Sequence, residues 1–131
     1  MGRPLPKLRA LAVFGRNMHL GLNFGAGRSL GPGKIRLLEL IKETGSISAA
    51  ARALKMSYTR AWHLVDELNS MFRMSVVAAQ TGGHRGGGAA LTETGLLVIH
   101  HYRDFEHRAD DASVTPIRAL ALLLDAPSKE R

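Results

Sequence analysis

Two short stretches carry the side chains best suited to chemistry. The first is Ser57-Tyr58-Thr59-Arg60, with His63 one turn further on. Ser57 can cap a helix, its hydroxyl accepting from backbone N–H groups at the helix start. Tyr58, Thr59, Arg60 and His63 then fall in the first two turns. They lie off the apolar stripe expected from Ala61, Leu64, Val65, Leu68 and Phe72. Hydroxyl, guanidinium and imidazole groups at an exposed helix start can bond base edges and phosphates in a DNA groove. The second stretch is Thr81–Gly88, TGGHRGGG, with five glycines in eight residues. Such runs let backbone N–H groups converge on an anion, or let a hairpin tip approach a groove closely. It is not a nucleotide-binding P-loop, because no Gly-Lys-Ser/Thr closes it and no helix follows at once. Thr81, Gly82, Gly83, His84, Arg85 and Gly86 are therefore read as a contacting tip, with His84 and Arg85 supplying the side chains. The alternative is a glycine loop that touches nothing. For Arg60 the alternative is an ion pair with Asp66 or Glu67 on its own helix.

Catalytic chemistry finds little support. The chain has six histidines and no cysteine. Disulfides, thiolate metal sites and a thiol nucleophile are thereby excluded. No His-Glu-x-x-His motif occurs, and no acidic cluster stands at ligand spacing. No carboxylate pairs in sequence with a candidate nucleophile. The expectation is no catalytic residue, no metal, no cofactor, and no enzyme.

The elements that must position these residues follow from periodicity and punctuation. HLGLNF, His19–Phe24, alternates like a half-buried strand, and GAGRSLGPG follows as a connector. Lys34–Thr44 repeats apolar residues at Ile35, Leu38 and Ile41, with Leu37 and Leu40 widening the stripe. This is an amphipathic helix, with Pro32 tolerable in its first turn and Gly45 as its stop. Ser48 is the candidate cap of a thin helix through Ala49-Ala50-Ala51 to about Leu54. Lys55-Met56 make a turn, and Ser57 opens the longer helix. A short helix, a tight turn and a longer helix make a helix-turn-helix. Trp62 is expected to pack at the helix crossing; lying against a DNA backbone is the other reading. Ser75–Gln80 and Ala89–Leu91 read as two strands around the glycines, forming a wing. Thr92 caps a last helix from Glu93 to about Ala112, with a stripe at Leu96, Leu97, Ile99, His100, Tyr102, Arg103 and Glu106. Pro116 is expected to break it, leaving Ile117–Leu124 as a separate short helix. The fold class is mainly α with a small antiparallel β wing, a winged helix-turn-helix.

Charge sets the partner class. The 131 residues carry a formal net charge of +7. Met1–Leu38 holds seven Lys or Arg and no acid, whereas Glu93–Arg131 holds five basic residues and seven acids. A basic front suits a polyanion, and an acidic back suits something else. Three regions are expected: a basic tail at 1–17, the DNA-binding domain with its C-terminal dimerisation helix at 18–112, and an extension at 113–131. Met18, directly before the first patterned segment, is an alternative start. No apolar run is long enough to span a membrane, and the Leu8–Phe14 run is interrupted by Arg9. The expected setting is the cytoplasm. The expected partners are double-stranded DNA and a second copy of the chain; a protein-interaction module is the alternative, since winged helices also serve assembly.

With these motifs placed, the chain resembles a known family. SISAAARALKMSYTRAWHLVDELN, followed by VVAAQTGGHRGGGAALTETG, is similar to the DNA-binding domain of ModE-type molybdate-responsive regulators, and more distantly to LysR-type winged helices. Ser57-Tyr58 with Ala61-Trp62, Thr81-Gly82-Gly83 with Gly86-Gly87-Gly88, then Leu91-Thr92 and Gly95 carry the likeness. It implies a dimeric winged helix acting on an inverted repeat, with Ser57–His63 starting the recognition helix and Thr81–Gly88 forming the wing. Two departures matter. Lys55 stands where many such turns have glycine, at a cost of about 1 kcal/mol if that position needs positive φ. Full-length members continue into a molybdate-binding domain, so no molybdate binding is expected within these residues.

Overall fold

The computed structural model describes residues 18–80 and 88–125. Two compact units are distinguished, His19–Asp104 and one that holds residues 105–125.

The first unit opens with a small hairpin. Strand β1, Leu22–Asn23, pairs antiparallel with β2, Ser29–Leu30, with Leu22 opposite Leu30. The connector predicted from GAGRSLGPG thus contains a strand of its own. Leu30 is buried and draws β2 onto the core, a pull that turn composition does not reveal. Helix α1 spans Pro32–Thr44, with Pro32 in its first turn as the sequence predicts. Gly45 ends it in the left-handed region at φ 70°, its N–H donating to the Ile41 carbonyl. Ile35, Leu37, Leu38, Leu40 and Ile41 are buried, which is the predicted stripe.

Helix α2, Ile47–Ala53, is capped by Ser46, whose hydroxyl accepts from Ala49 N–H. The sequence pattern favours Ser48. The chain leaves Gly45 fully extended at Ser46, so the cap geometry falls there and Ser48 sits within the first turn. Lys55 adopts φ 56°, the left-handed conformation that glycine would take without penalty. Helix α3 spans Tyr58–Met71, and Ser57 caps it by accepting from Arg60 N–H at 3.1 Å. Strands β3, Val77–Gln80, and β4, Gly88–Leu91, pair antiparallel from Val77–Leu91 to Gln80–Gly88. These are the predicted wing strands, and the fold is mostly helical with two small antiparallel sheets.

Helix α4 runs from Glu93 to Leu123 without interruption, so Pro116 does not end it. A proline removes one backbone bond from a helix interior. Beyond it, Ala119, Leu120, Ala121, Leu122 and Leu123 are strong helix formers, and the helix continues through the proline. The predicted inward stripe also shifts. Gly95, Val98 and Tyr102 are buried, whereas Leu96 and Leu97 are exposed. The phase is set by Gly95, where an added Cβ would run into the Val76 carbonyl. Only hydrogen fits there, and residues three and seven further on follow it inward. Thr92 completes the junction: its hydroxyl donates to the Ser75 carbonyl and accepts from Gly95 N–H.

A candidate nucleic-acid interface

Helix α3 presents its first two turns outward because its stripe is narrow. Ala61, Val65 and Leu68 are buried, and Leu64 and Phe72 partly so. The slender residues Ala50 and Ala51 of α2 are fully covered, which lets the two helices approach closely. Tyr58, Thr59, Arg60 and His63 are all exposed, as predicted. Arg60 forms no ion pair with Asp66 or Glu67 among the described residues, so its guanidinium is not taken up by its own helix. Ser57 accepts from Arg60 N–H in the cap, and its O–H stays available to donate to a partner. Arg52 and Lys55, in and just after α2, add exposed positive charge beside this helix start.

Trp62 departs from the expectation of packing at the crossing. It is 46% exposed, and its ring meets His63 edge-on at 5.5 Å. Ala61 takes the crossing position instead, and Trp62, one residue further round the helix, is left on the outside. Tyr58 and Trp62, four residues apart, therefore share an outer flank of α3.

The wing is tied to this helix by a residue that the sequence reading does not single out. Asn69 Oδ1 accepts from Val76 N–H at 2.8 Å and from Val77 N–H at 3.0 Å, while Nδ2 donates to the Val77 carbonyl at 3.2 Å. One side-chain amide thus satisfies three backbone groups where β3 begins. No periodicity marks Asn69; the only hint is an amide at the edge of an apolar stripe, shortly before a strand. The second tie is backbone to backbone, Ala89 N–H donating to the Gly45 carbonyl at 2.9 Å. A Cβ on Gly88 would lie 3.1 Å from the same oxygen, so glycine lets β4 pass this corner. Between α3 and the wing strands lies an open cleft of about 570 Å³. The predicted tip contacts Thr81, Gly82, Gly83, His84, Arg85 and Gly86 lie outside the described residues.

Away from this face, Arg103 grips Glu39 with two hydrogen bonds, of 2.9 and 2.7 Å, and Arg36 approaches the same carboxylate. The Arg103 bond, aided by the charges of Arg103 and Arg36, holds the Glu39 pKa below the ordinary glutamate value against the opposing effect of burial. Among the described residues, no three His, Asp or Glu side chains gather as metal ligands, and no helix is long and apolar enough to cross a membrane.

This order of elements has a counterpart among known proteins. Residues 33–96 match the family model of the bacterial regulatory helix-turn-helix protein, lysR family. The matched segment is similar to the LysR-type helix-turn-helix. Similar proteins include the molybdenum transport protein ModE of Azotobacter vinelandii, 37% identical over 87 residues, or 66% of this chain and 32% of that protein. The molybdenum-pterin-binding protein MopB of Rhodobacter capsulatus is 44% identical over 80 residues, 61% of this chain and 30% of that protein. The DNA-binding transcriptional dual regulator ModE of Escherichia coli (strain K12) is 41% identical over 71 residues, 54% of this chain and 27% of that protein. The matched stretch thus spans about a third of the length of these relatives. In the matched segment, α2 and α3 are the two helices of the motif, and β3 and β4 form the wing.

Proposed function

We propose that the chain is a sequence-specific, double-stranded-DNA-binding regulator of transcription that acts as a homodimer in the cytoplasm and catalyses no reaction. The observation that carries this reading is the capped start of α3, which exposes Tyr58, Thr59, Arg60 and His63 together on the second helix of a LysR-type helix-turn-helix. In this geometry the helix N-terminus enters the major groove, where a guanidinium can bond guanine O6 and N7. Thr81–Gly86, with His84 and Arg85, are assigned to the phosphate or minor-groove side. The likeness to a regulator named for DNA binding supports the assignment. Two of the similar proteins are named for molybdenum, but the shared segment is the helix-turn-helix, and DNA binding rather than oxyanion sensing is assigned to it.

The test is binding to random duplex and to a site selected from genomic DNA, across salt. Affinity for both falls steeply as salt rises if phosphate contacts dominate. Arg60→Ala shrinks the ratio of selected-site to random affinity, by about 1–3 kcal/mol at one base. Arg85→Ala lowers both affinities and flattens the salt slope by about one unit. Binding that ignores salt, or no binding at all, rejects the reading and favours a protein-interaction module.

A further inference from the structure

We propose that the cleft between α3 and the wing seats a DNA sugar-phosphate strand, with Tyr58 and Trp62 packed against its deoxyribose rings. The proposal rests on the DNA-binding reading of α3 and says which part of the duplex this second surface holds. A helix that occupies the major groove has a sugar-phosphate strand along each side, dividing it from the adjoining minor groove. With the wing on one flank of α3, that strand must cross the gap between them. The gap exists: the cleft of about 570 Å³ is lined by Tyr58 and Trp62 of α3, by Ala79 and Gly88 of the wing strands, and at the start of α2 by Ser46 and Ser48. The small wing residues leave the cleft wide, and the aromatic pair gives it one broad apolar wall.

Among the described residues, the chemistry of the lining favours the sugar over the phosphate charge. None of the described residues that line the cleft is charged. A lysine- or arginine-lined slot holds phosphate by attraction; this one offers two ring faces, half exposed at 54% for Tyr58 and 46% for Trp62. Deoxyribose is the apolar part of the backbone and suits such faces. The hydroxyls of Tyr58 and Ser48 stand at the same cleft as uncharged donors for a phosphate oxygen. The edge-on contact with His63 braces the Trp62 ring. A contact of this kind is blind to sequence and adds no released counterion, so it has a signature distinct from those of Arg60 and Arg85.

Trp62 is the only tryptophan, so its emission reports on the cleft directly. On titration with random 20-base-pair duplex, the Trp62 emission of the unaltered protein changes and saturates together with binding. Trp62→Ala weakens selected and random duplex alike, by about tenfold or more from the lost apolar burial, with an unchanged salt slope. Trp62→Phe keeps most of the affinity, and Tyr58→Phe costs a few-fold. Thermal melts of each variant separate unfolding from lost contact, and the emission titration needs no variant. Unchanged emission at saturating DNA overturns the proposal while leaving the DNA-binding reading intact. So does wild-type affinity in Trp62→Ala, or a loss confined to sites with thymine at one position, which marks a base-methyl contact. Absence of salt-dependent binding by the unaltered protein overturns both.

Discussion

Helix α4 belongs to both units of the chain, and its two parts differ in how they treat apolar side chains. Within residues 19–104 it turns Gly95, Val98 and Tyr102 inward, and the Tyr102 hydroxyl donates to the Leu20 carbonyl at 2.7 Å. From residue 105 to 125 no described side chain is buried, and Val114, Leu120, Leu122 and Leu123 are exposed, Leu123 to 82%. The first part is a wall of a closed core. The second is an apolar helix of the kind that gains most of its stability from packing, since isolated helices of that length are marginal in water. The acids Glu106, Asp110 and Asp111 along it disfavour contact with DNA. A second copy of the same helix is the partner that the proposed homodimer supplies.

The largest effect expected on this contrast is in the closed core. Leu38→Ala removes a fully buried side chain of α1 and should cost about 2–5 kcal/mol in denaturant unfolding. Leu123→Ala should change the unfolding of residues 19–104 by less than about 0.5 kcal/mol. Comparable losses at the two positions would erase the distinction between the units.

Next is the hook that keeps the wing with α3. Asn69→Leu leaves three backbone groups at the start of β3 to find new partners, at a cost of about 1–3 kcal/mol. Amide exchange at Val76 and Val77 should quicken more than at Ile41 in the α1 core. Uniform exchange across all three would mean that Asn69 is not a local tie.

The open helix is probed by charge. Leu120→Lys with Leu123→Lys should convert a light-scattering mass of two chains to about 14 kDa, with the far-ultraviolet spectrum of residues 19–104 retained. A wild-type protein already at the single-chain mass at micromolar concentration removes the proposed dimer.

The smallest effect concerns Glu39, where the core meets solvent. Its pKa is held below the ordinary glutamate value, so the stability it adds is present above that value and is lost as pH falls through the depressed one. Glu39→Gln should lower stability at neutral pH by about 1 kcal/mol or less. Wild type and variant should converge on acidification below the ordinary glutamate range. A difference that grows toward acid would contradict the sign of the shift.

The sequence by itself determined what neighbouring residues decide. Ser57 caps α3, Gly45 stops α1, Thr92 caps α4, and the apolar spacing of Ile35–Ile41 and Ala61–Leu68 orients two helices. Each of these depends on groups within a turn or two along the chain, and such short-range bonds survive in almost any fold. The exposed start of α3 was legible for the same reason, because the stripe that buries one face leaves the other outside. The tertiary structure decided what depends on a partner surface. Whether Trp62 packs or faces out depends on whether a slot exists for it, and Ala61 filled that slot. The phase of α4 came from one steric contact between Gly95 and Val76, which are nineteen residues apart. The pairing of β2 with β1 depended on burying Leu30, and the hold of Asn69 on β3 depended on two elements meeting. Pro116 reads locally as a stop, yet the helix continues through it. Long-range contacts of this kind have no period and no punctuation, so only the folded chain displays them.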